Sequence, residues 1–132
     1  MTGALDGRAA LEGTPTVVGD AARLRQIVEN LLSNAVKFTR TRGRVSLRLA
    51  CDEAQATITV SDTGEGIPAA FLPDVFDHFR QAQHLGARPQ AGLGLGLAIA
   101  RGLVQLHGGT VVARSAGRGR GATFVVTLPR AA

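Results

Sequence analysis

An α/β domain is the fold class this sequence predicts, and three observations predict it. One long segment, residues 20–38, carries apolar residues at helical spacing; two pairs of segments alternate as strands do; and a second helical segment stands between the pairs. In the first helix Leu24, Ile27, Val28, Leu31, Leu32 and Ala35 recur at three and four, which gathers them on one buried face. Asp20, after Gly19, is its expected N-cap. Val45, Leu47 and Leu49 then alternate with Ser46, Arg48 and Ala50, and beyond a turn at Asp52 and Glu53 the alternation resumes with Ala56, Ile58 and Val60. That pattern predicts a hairpin with one buried face. A short helix or two is expected within residues 69–79, and residues 80–91 lose the hydrophobic pattern and read as a mobile loop. The second helix carries Leu97, Ala100, Leu103, Val104 and His107 on its packed side and stops at Gly108 and Gly109. Residues 111–114 and 122–128 form the second strand pair, joined by a turn at residues 117–121. Residues 1–14 have no strong period and read as a lead-in or a truncated element, with Thr16, Val17 and Val18 as a short strand candidate; residues 15–132 read as one domain.

Composition narrows the function. At 45% hydrophobic and 19% charged, the chain can bury a core and is not disordered. No run approaches the roughly 20 apolar residues of a membrane span, and the first residues lack the basic flank and apolar block of a signal peptide. A cytoplasmic location without direct membrane contact is therefore expected. The single cysteine, Cys51, excludes an internal disulfide and reads as a small apolar residue of an alternating strand. The charge of +5 comes from scattered arginines, and with no Trp or Tyr to stack on bases the expected partner is a polyanionic small ligand, not nucleic acid.

Three stretches carry chemistry. Asn30, Asn34 and Lys37 recur at four and three on a stripe beside the core-facing side of the first helix. Asparagine competes for backbone hydrogen bonds, so two of them in mid-helix ask for a reason beyond a solvated face. Asp62 ends a strand, and the turn that follows, Thr63, Gly64, Glu65, Gly66, Ile67, needs the backbone freedom of glycine. Gly92, Gly94 and Gly96 open a helix, which either presents backbone N–H groups to phosphate or is simply a flexible entry. Their spacing is not that of a Walker loop, and no strand precedes them as a dinucleotide fold requires.

In this order the motifs resemble the ATP-binding catalytic domain of sensor histidine kinases, members of the gyrase-related GHKL superfamily. Residues 30–39 match the N box, residues 62–67 the first glycine box, residues 75–80 the F box and residues 92–97 the second glycine box, with Gly119, Gly121, Thr123, Phe124, Leu128 and Pro129 closing the pattern. The resemblance implies a Bergerat fold, a two-layer α/β sandwich whose mixed, mostly antiparallel sheet has helices on one face. It also implies binding of ATP with Mg²⁺ between the first helix and a lid at residues 80–92. The γ-phosphate would go to a histidine on a separate dimerisation and phosphoacceptor domain of the same or a sister chain, and from there to a response regulator. A stand-alone serine kinase of the anti-sigma type and a degenerate, non-catalytic module are the alternatives with the same fold.

The resemblance assigns roles by position. Asp62 would accept from the exocyclic amine of adenine, where guanine presents an oxygen, and Gly64, Gly66 and Ile67 would bring backbone close to the base. Asn34 would offer Mg²⁺ a neutral oxygen, with Asn30 as a second possible ligand. Asn30 stands where ATP-hydrolysing relatives carry a water-activating glutamate, so it favours transfer; Glu29 lies about 100° around the helix and is no substitute base. Lys37 would reach the phosphates, with Phe38 beside it, and Arg80 would contact the γ-phosphate. Phe76 and Phe79 would anchor the lid. Gly92, Leu93, Gly94, Leu95, Gly96 and Leu97 would cradle phosphate through backbone N–H groups, Leu93 replacing the usual small hydroxyl residue, and Thr123 would complete the site. None of His78, His84 and His107 is followed by the acid of a phosphoacceptor helix, so the acceptor is expected on another domain.

Overall fold

The computed structural model describes residues 20–39, 42–77 and 93–130, with residues 93–95 described by their backbone alone. Helix α1 is Ala21–Lys37, capped by the Asp20 carboxylate, which accepts from the N–H groups of Ala22 at 2.9 Å and Arg23 at 3.4 Å. Its buried residues are Ile27, Leu31 and Ala35, three of the six predicted for that face, and Leu24, Val28 and Leu32 pack partly buried around them. The helix stops at Phe38, whose carbonyl turns away to accept from Glu65 N–H at 3.1 Å.

Strands β1 (Val45–Cys51), β2 (Gln55–Asp62), β3 (Thr110–Arg114) and β4 (Ala122–Pro129) form one sheet in the order β1-β2-β4-β3. Every described pair is antiparallel, in keeping with the mostly antiparallel sheet expected; the strand candidate at residues 16–18 lies outside the described residues. The register aligns Leu47, Val60 and Phe124 across three strands, and Asp62 with both Val45 and Ala122. Period-two alternation then puts Ala56, Ile58, Val60 and Asp62 of β2 on the same face as Ala122, Phe124, Val126 and Leu128 of β4. Cys51, opposite Ala56, shares that face at its margin and is half-buried.

Helix α2 (Leu93–Leu106) packs beside α1 on that face through Leu97, Ala100, Leu103 and Val104. One core therefore lies between a helical layer and a sheet, with Phe124, Ile27, Leu31, Val60, Val104 and Val126 as its most enclosed large side chains. Of the expected helical stretch of residues 69–79, the described part, residues 69–77, holds a single 3₁₀ turn at Leu72–Asp74, entered through Pro73. At the hairpin end, the Asp52 carboxylate accepts from the N–H groups of Ala54 and Gln55 at 2.8 and 2.9 Å. Those bonds, that from Gln55 foremost, hold its pKa below the ordinary value. No described helix is long and apolar enough to cross a membrane.

Candidate functional site

At the sheet end carrying Asp62, a cavity of about 330 Å³ opens between α1, the loop after β2 and the start of β4. That volume is within the range of small-molecule sites, about 300 to 1,000 Å³. Its walls are mostly apolar, with Phe38, Ile67, Phe71, Val75, Leu97 and Phe124 among them, and the polar groups converging on it are Asn34, Asp62, Glu65 and Arg118. A flat aromatic ligand with one polar edge fits that division.

Asp62 reaches the cavity because it is the last residue of β2 on the helix-facing side. Its Oδ1 accepts from Gly64 N–H at 2.8 Å and from Ala122 N–H at 3.2 Å, which turns the carboxylate and leaves Oδ2 without a described partner. Burial pushes its pKa above the ordinary value, against the pull of those two bonds. Asn34 enters from α1, one turn beyond Asn30. Its Oδ1 is buried and accepts no hydrogen bond among the described residues. A buried amide oxygen without a partner is unusual enough in a folded protein to suggest that something else supplies one.

Glycine serves the loop through the expected backbone freedom, with Gly66 at positive φ, and also through close packing. A Cβ on Gly64 would stand 2.1 Å from the Phe38 carbonyl oxygen, and one on Gly66, at φ 75°, would stand 2.0 Å from that of Gly117. The first glycine box is thus bare because it is pressed between the end of α1 and the β3–β4 turn, and Gly66 also lines the cavity.

The other expected site residues divide. Phe38 and Leu97 line the cavity with Asn34, Asp62, Gly66 and Ile67. Asn30 does not line it: its Nδ2 donates to the Gly96 carbonyl oxygen at 3.2 Å, bracing α1 against the first turns of α2. Lys37 is exposed in the last turn of α1 and is not on the cavity wall. Phe76 is a core residue, meeting Phe124 edge to face at 6.0 Å, with the Arg101 guanidinium 5.7 Å from its ring centre. Thr123 is not on the cavity wall. Period-two alternation turns it to the sheet face opposite the helices, where its hydroxyl lies 3.2 Å from that of Ser61, and its neighbour Ala122 is the residue at the cavity. Phe79, Arg80 and Gly92 lie outside the described residues, as do the lid and the side chains of Leu93 and Leu95; Gly94 and Gly96 fall within α2.

The fold has counterparts among known proteins. A family model, the histidine kinase-, DNA gyrase B- and HSP90-like ATPases, matches residues 19–132. The chain belongs to this ATPase family. Among curated relatives, the circadian input-output histidine kinase CikA of Synechococcus elongatus is 47% identical over 110 residues, 83% of this chain and 14% of the relative. Hybrid signal transduction histidine kinase D of Dictyostelium discoideum is 39% identical over 137 residues, 86% of this chain and 9% of the relative. The chain thus spans a small part of the sensor kinases it matches. Among solved structures, the mycobacterial sensor histidine kinase MprB superposes with a TM-score of 0.75 at 36% identity, covering 86% of this chain and 76% of that one. The catalytic domain of histidine kinase ThkA gives 0.72 at 25% identity, covering 86% and 71%. The ATPase domain of histidine kinases is therefore the fold, and a GHKL nucleotide-binding domain the class.

Within this ATPase domain, sequence reasoning missed Glu65, Arg118, Ala122 and the apolar wall of Phe71, Val75 and Phe124. Ala122 was recoverable from the alternation that places Asp62 and Phe124 on the cavity face. Arg118 was not, because it sits in a turn whose approach to the Asp62 loop is a tertiary contact.

Proposed function

We propose that this domain binds ATP with Mg²⁺ and provides the γ-phosphate for a histidine on a separate phosphoacceptor domain. Asp62 accepts from the adenine amine through Oδ2, and the apolar wall covers the ring. The observation that carries the reading is the pairing, on one cavity, of a carboxylate with an open oxygen and a buried amide oxygen with no partner. The metal fits that amide: Mg²⁺ takes neutral oxygen ligands when phosphates and waters complete its shell, and among the described residues no cluster of His, Cys, Asp or Glu offers a rival site. Asn34 would hold it, and the ion would supply neutralisation of phosphate charge.

Transfer is favoured over hydrolysis by what stands at Asn30. An amide cannot take a proton from water as a carboxylate can, and this one is tied to the Gly96 carbonyl. Glu29, the acid beside it in sequence, is exposed. Phosphoryl transfer relies chiefly on positioning and charge neutralisation, so a domain that holds ATP without activating water suits donation to a histidine delivered by another domain.

Calorimetric titration with ATP, ADP and GTP in the presence of Mg²⁺ tests the site, and labelled ATP with a separately expressed phosphoacceptor domain tests the transfer. ATP affinity of roughly −5 to −8 kcal/mol and label on histidine are expected. Nucleotide binding without labelled histidine would reject the kinase reading and leave an ATP-binding module.

A further inference from the structure

Ser115, the residue after β3, lies outside the cavity lining, yet its hydroxyl is the meeting point of the two loops that build the cavity. Its Oγ accepts from Ile67 N–H at 2.9 Å and from Gly117 N–H at 3.1 Å, and donates to the Gly121 carbonyl oxygen at 2.7 Å. The Gly117 carbonyl, at 3.3 Å, is the more distant acceptor for the same proton. A hydroxyl has one proton and two lone pairs, so this one is fully used.

The bond to Gly121 reaches further than its length. The carbonyl of Gly121 and the N–H of Ala122 belong to one planar peptide and point in opposite directions. Ser115 holds the oxygen of that peptide, and Asp62 Oδ1 takes its N–H at 3.2 Å. Hydroxyl, peptide and carboxylate form a chain in which each bond polarises the next. On the other side, Ser115 fixes Ile67, which lines the cavity together with Gly66 and Pro68.

We infer that Ser115 is a positioning residue for base recognition: through the Gly121–Ala122 peptide it aims the Asp62 carboxylate. The inference rests on the nucleotide-site reading above. It makes selectivity for the exocyclic amine depend on a side chain that touches no ligand.

The test compares ATP with purine riboside triphosphate, which lacks that amine, and with ADP, on the whole chain and on Ser115→Ala, Ser115→Thr and Ser115→Cys. In Ser115→Ala the ATP affinity falls about tenfold, the scale expected when a buried hydrogen-bond chain loses its end. Affinity for the amine-free analogue changes little, so the preference for the amine shrinks by the same factor, and ADP weakens in step with ATP. Ser115→Thr, which keeps the hydroxyl, retains the wild-type preference. A folded Ser115→Ala whose ATP and analogue affinities fall together would overturn the inference, since that is the mark of plain structural loosening. Should Ser115→Ala fail to melt cooperatively, the hydroxyl and thiol variants decide: a preference kept in Ser115→Thr and reduced in Ser115→Cys supports the role, and equal preference in the two rejects it. A wild-type chain that binds no ATP would instead remove the proposed function, a result distinct from any of these.

Discussion

Replacing Asn34 by leucine should make the ligand-free domain more stable and abolish its nucleotide affinity. Asn34 Oδ1 is buried and takes no hydrogen bond from the described residues. Leaving a buried acceptor unsatisfied costs about 1–3 kcal/mol, and a mid-helix leucine is favoured over asparagine by about 0.4 kcal/mol. The usual opposing cost, overpacking, is small here because the side chain borders a cavity of about 330 Å³. The net gain is about 2 kcal/mol, and for a chain of 132 residues this raises Tm by about 6–8 °C. Melting by circular dichroism without nucleotide reads the first half, and calorimetric titration of ATP with Mg²⁺ reads the second. A fall in Tm, or unchanged ATP affinity in the variant, would refute the reasoning that Asn34 is kept at a cost to the fold because a ligand completes it.

Three further outcomes follow from the same geometry. Burial raises the Asp62 pKa, so the folded chain holds that proton more tightly than the unfolded chain, and this residue's contribution to stability is lost as pH rises from the ordinary 3.8 through the raised value. ATP binding, which needs the ionised form, should strengthen over that interval, and Asp62→Asn should flatten the pH dependence, lose ATP and keep its Tm at neutral pH; calorimetry at several pH values with parallel melts checks this. Gly121→Ala places a Cβ 2.1 Å from the Asp62 carbonyl oxygen at φ 71° and should cost about 3 kcal/mol or more, whereas Gly102→Ala, in α2 with nothing within 4 Å, should gain about 0.5–1 kcal/mol in chemical denaturation. Phe124→Ala should cost about 3–5 kcal/mol by the same measurement, since Phe124 is 1% exposed and meets Phe76 edge to face.

Much of the layer structure was legible because periodicity is a direct consequence of burial. The three-and-four spacing of Ile27, Leu31 and Ala35 and the alternation of Leu47, Val60 and Phe124 each record which side meets the core. The site was legible where a residue type is out of place, as with Asn34 in mid-helix and Asp62 at a strand end. It was less legible where one strand position decides between two faces. Thr123 has the hydroxyl that a ligand would want, but Ala122 has the face, and the pairing of Asp62 with Ala122 fixes that. Phe76 shows the converse: a motif residue whose ring meets Phe124 and Arg101, contacts that the motif spacing does not reveal.

The glycines mark where a sequence reading loses its grip. Gly64 and Gly66 invite a ligand-centred explanation, because bare backbone beside an acid can approach a base. The structure gives each a nearer neighbour within the protein, the carbonyls of Phe38 and Gly117. Those contacts join the end of α1, the Asp62 loop and the β3–β4 turn, and hydrogen bonds from Glu65 N–H to Phe38 and from Gly121 N–H to Gly64 close the same junction. Precision at Asp62 then comes from backbone packed too tightly for a Cβ, with Ser115 and the Gly121–Ala122 peptide setting the carboxylate's direction. On the proposed reading, a recognition residue held this way needs little reorganisation when its ligand arrives, and the glycines and Ser115 would bear on selectivity through Asp62.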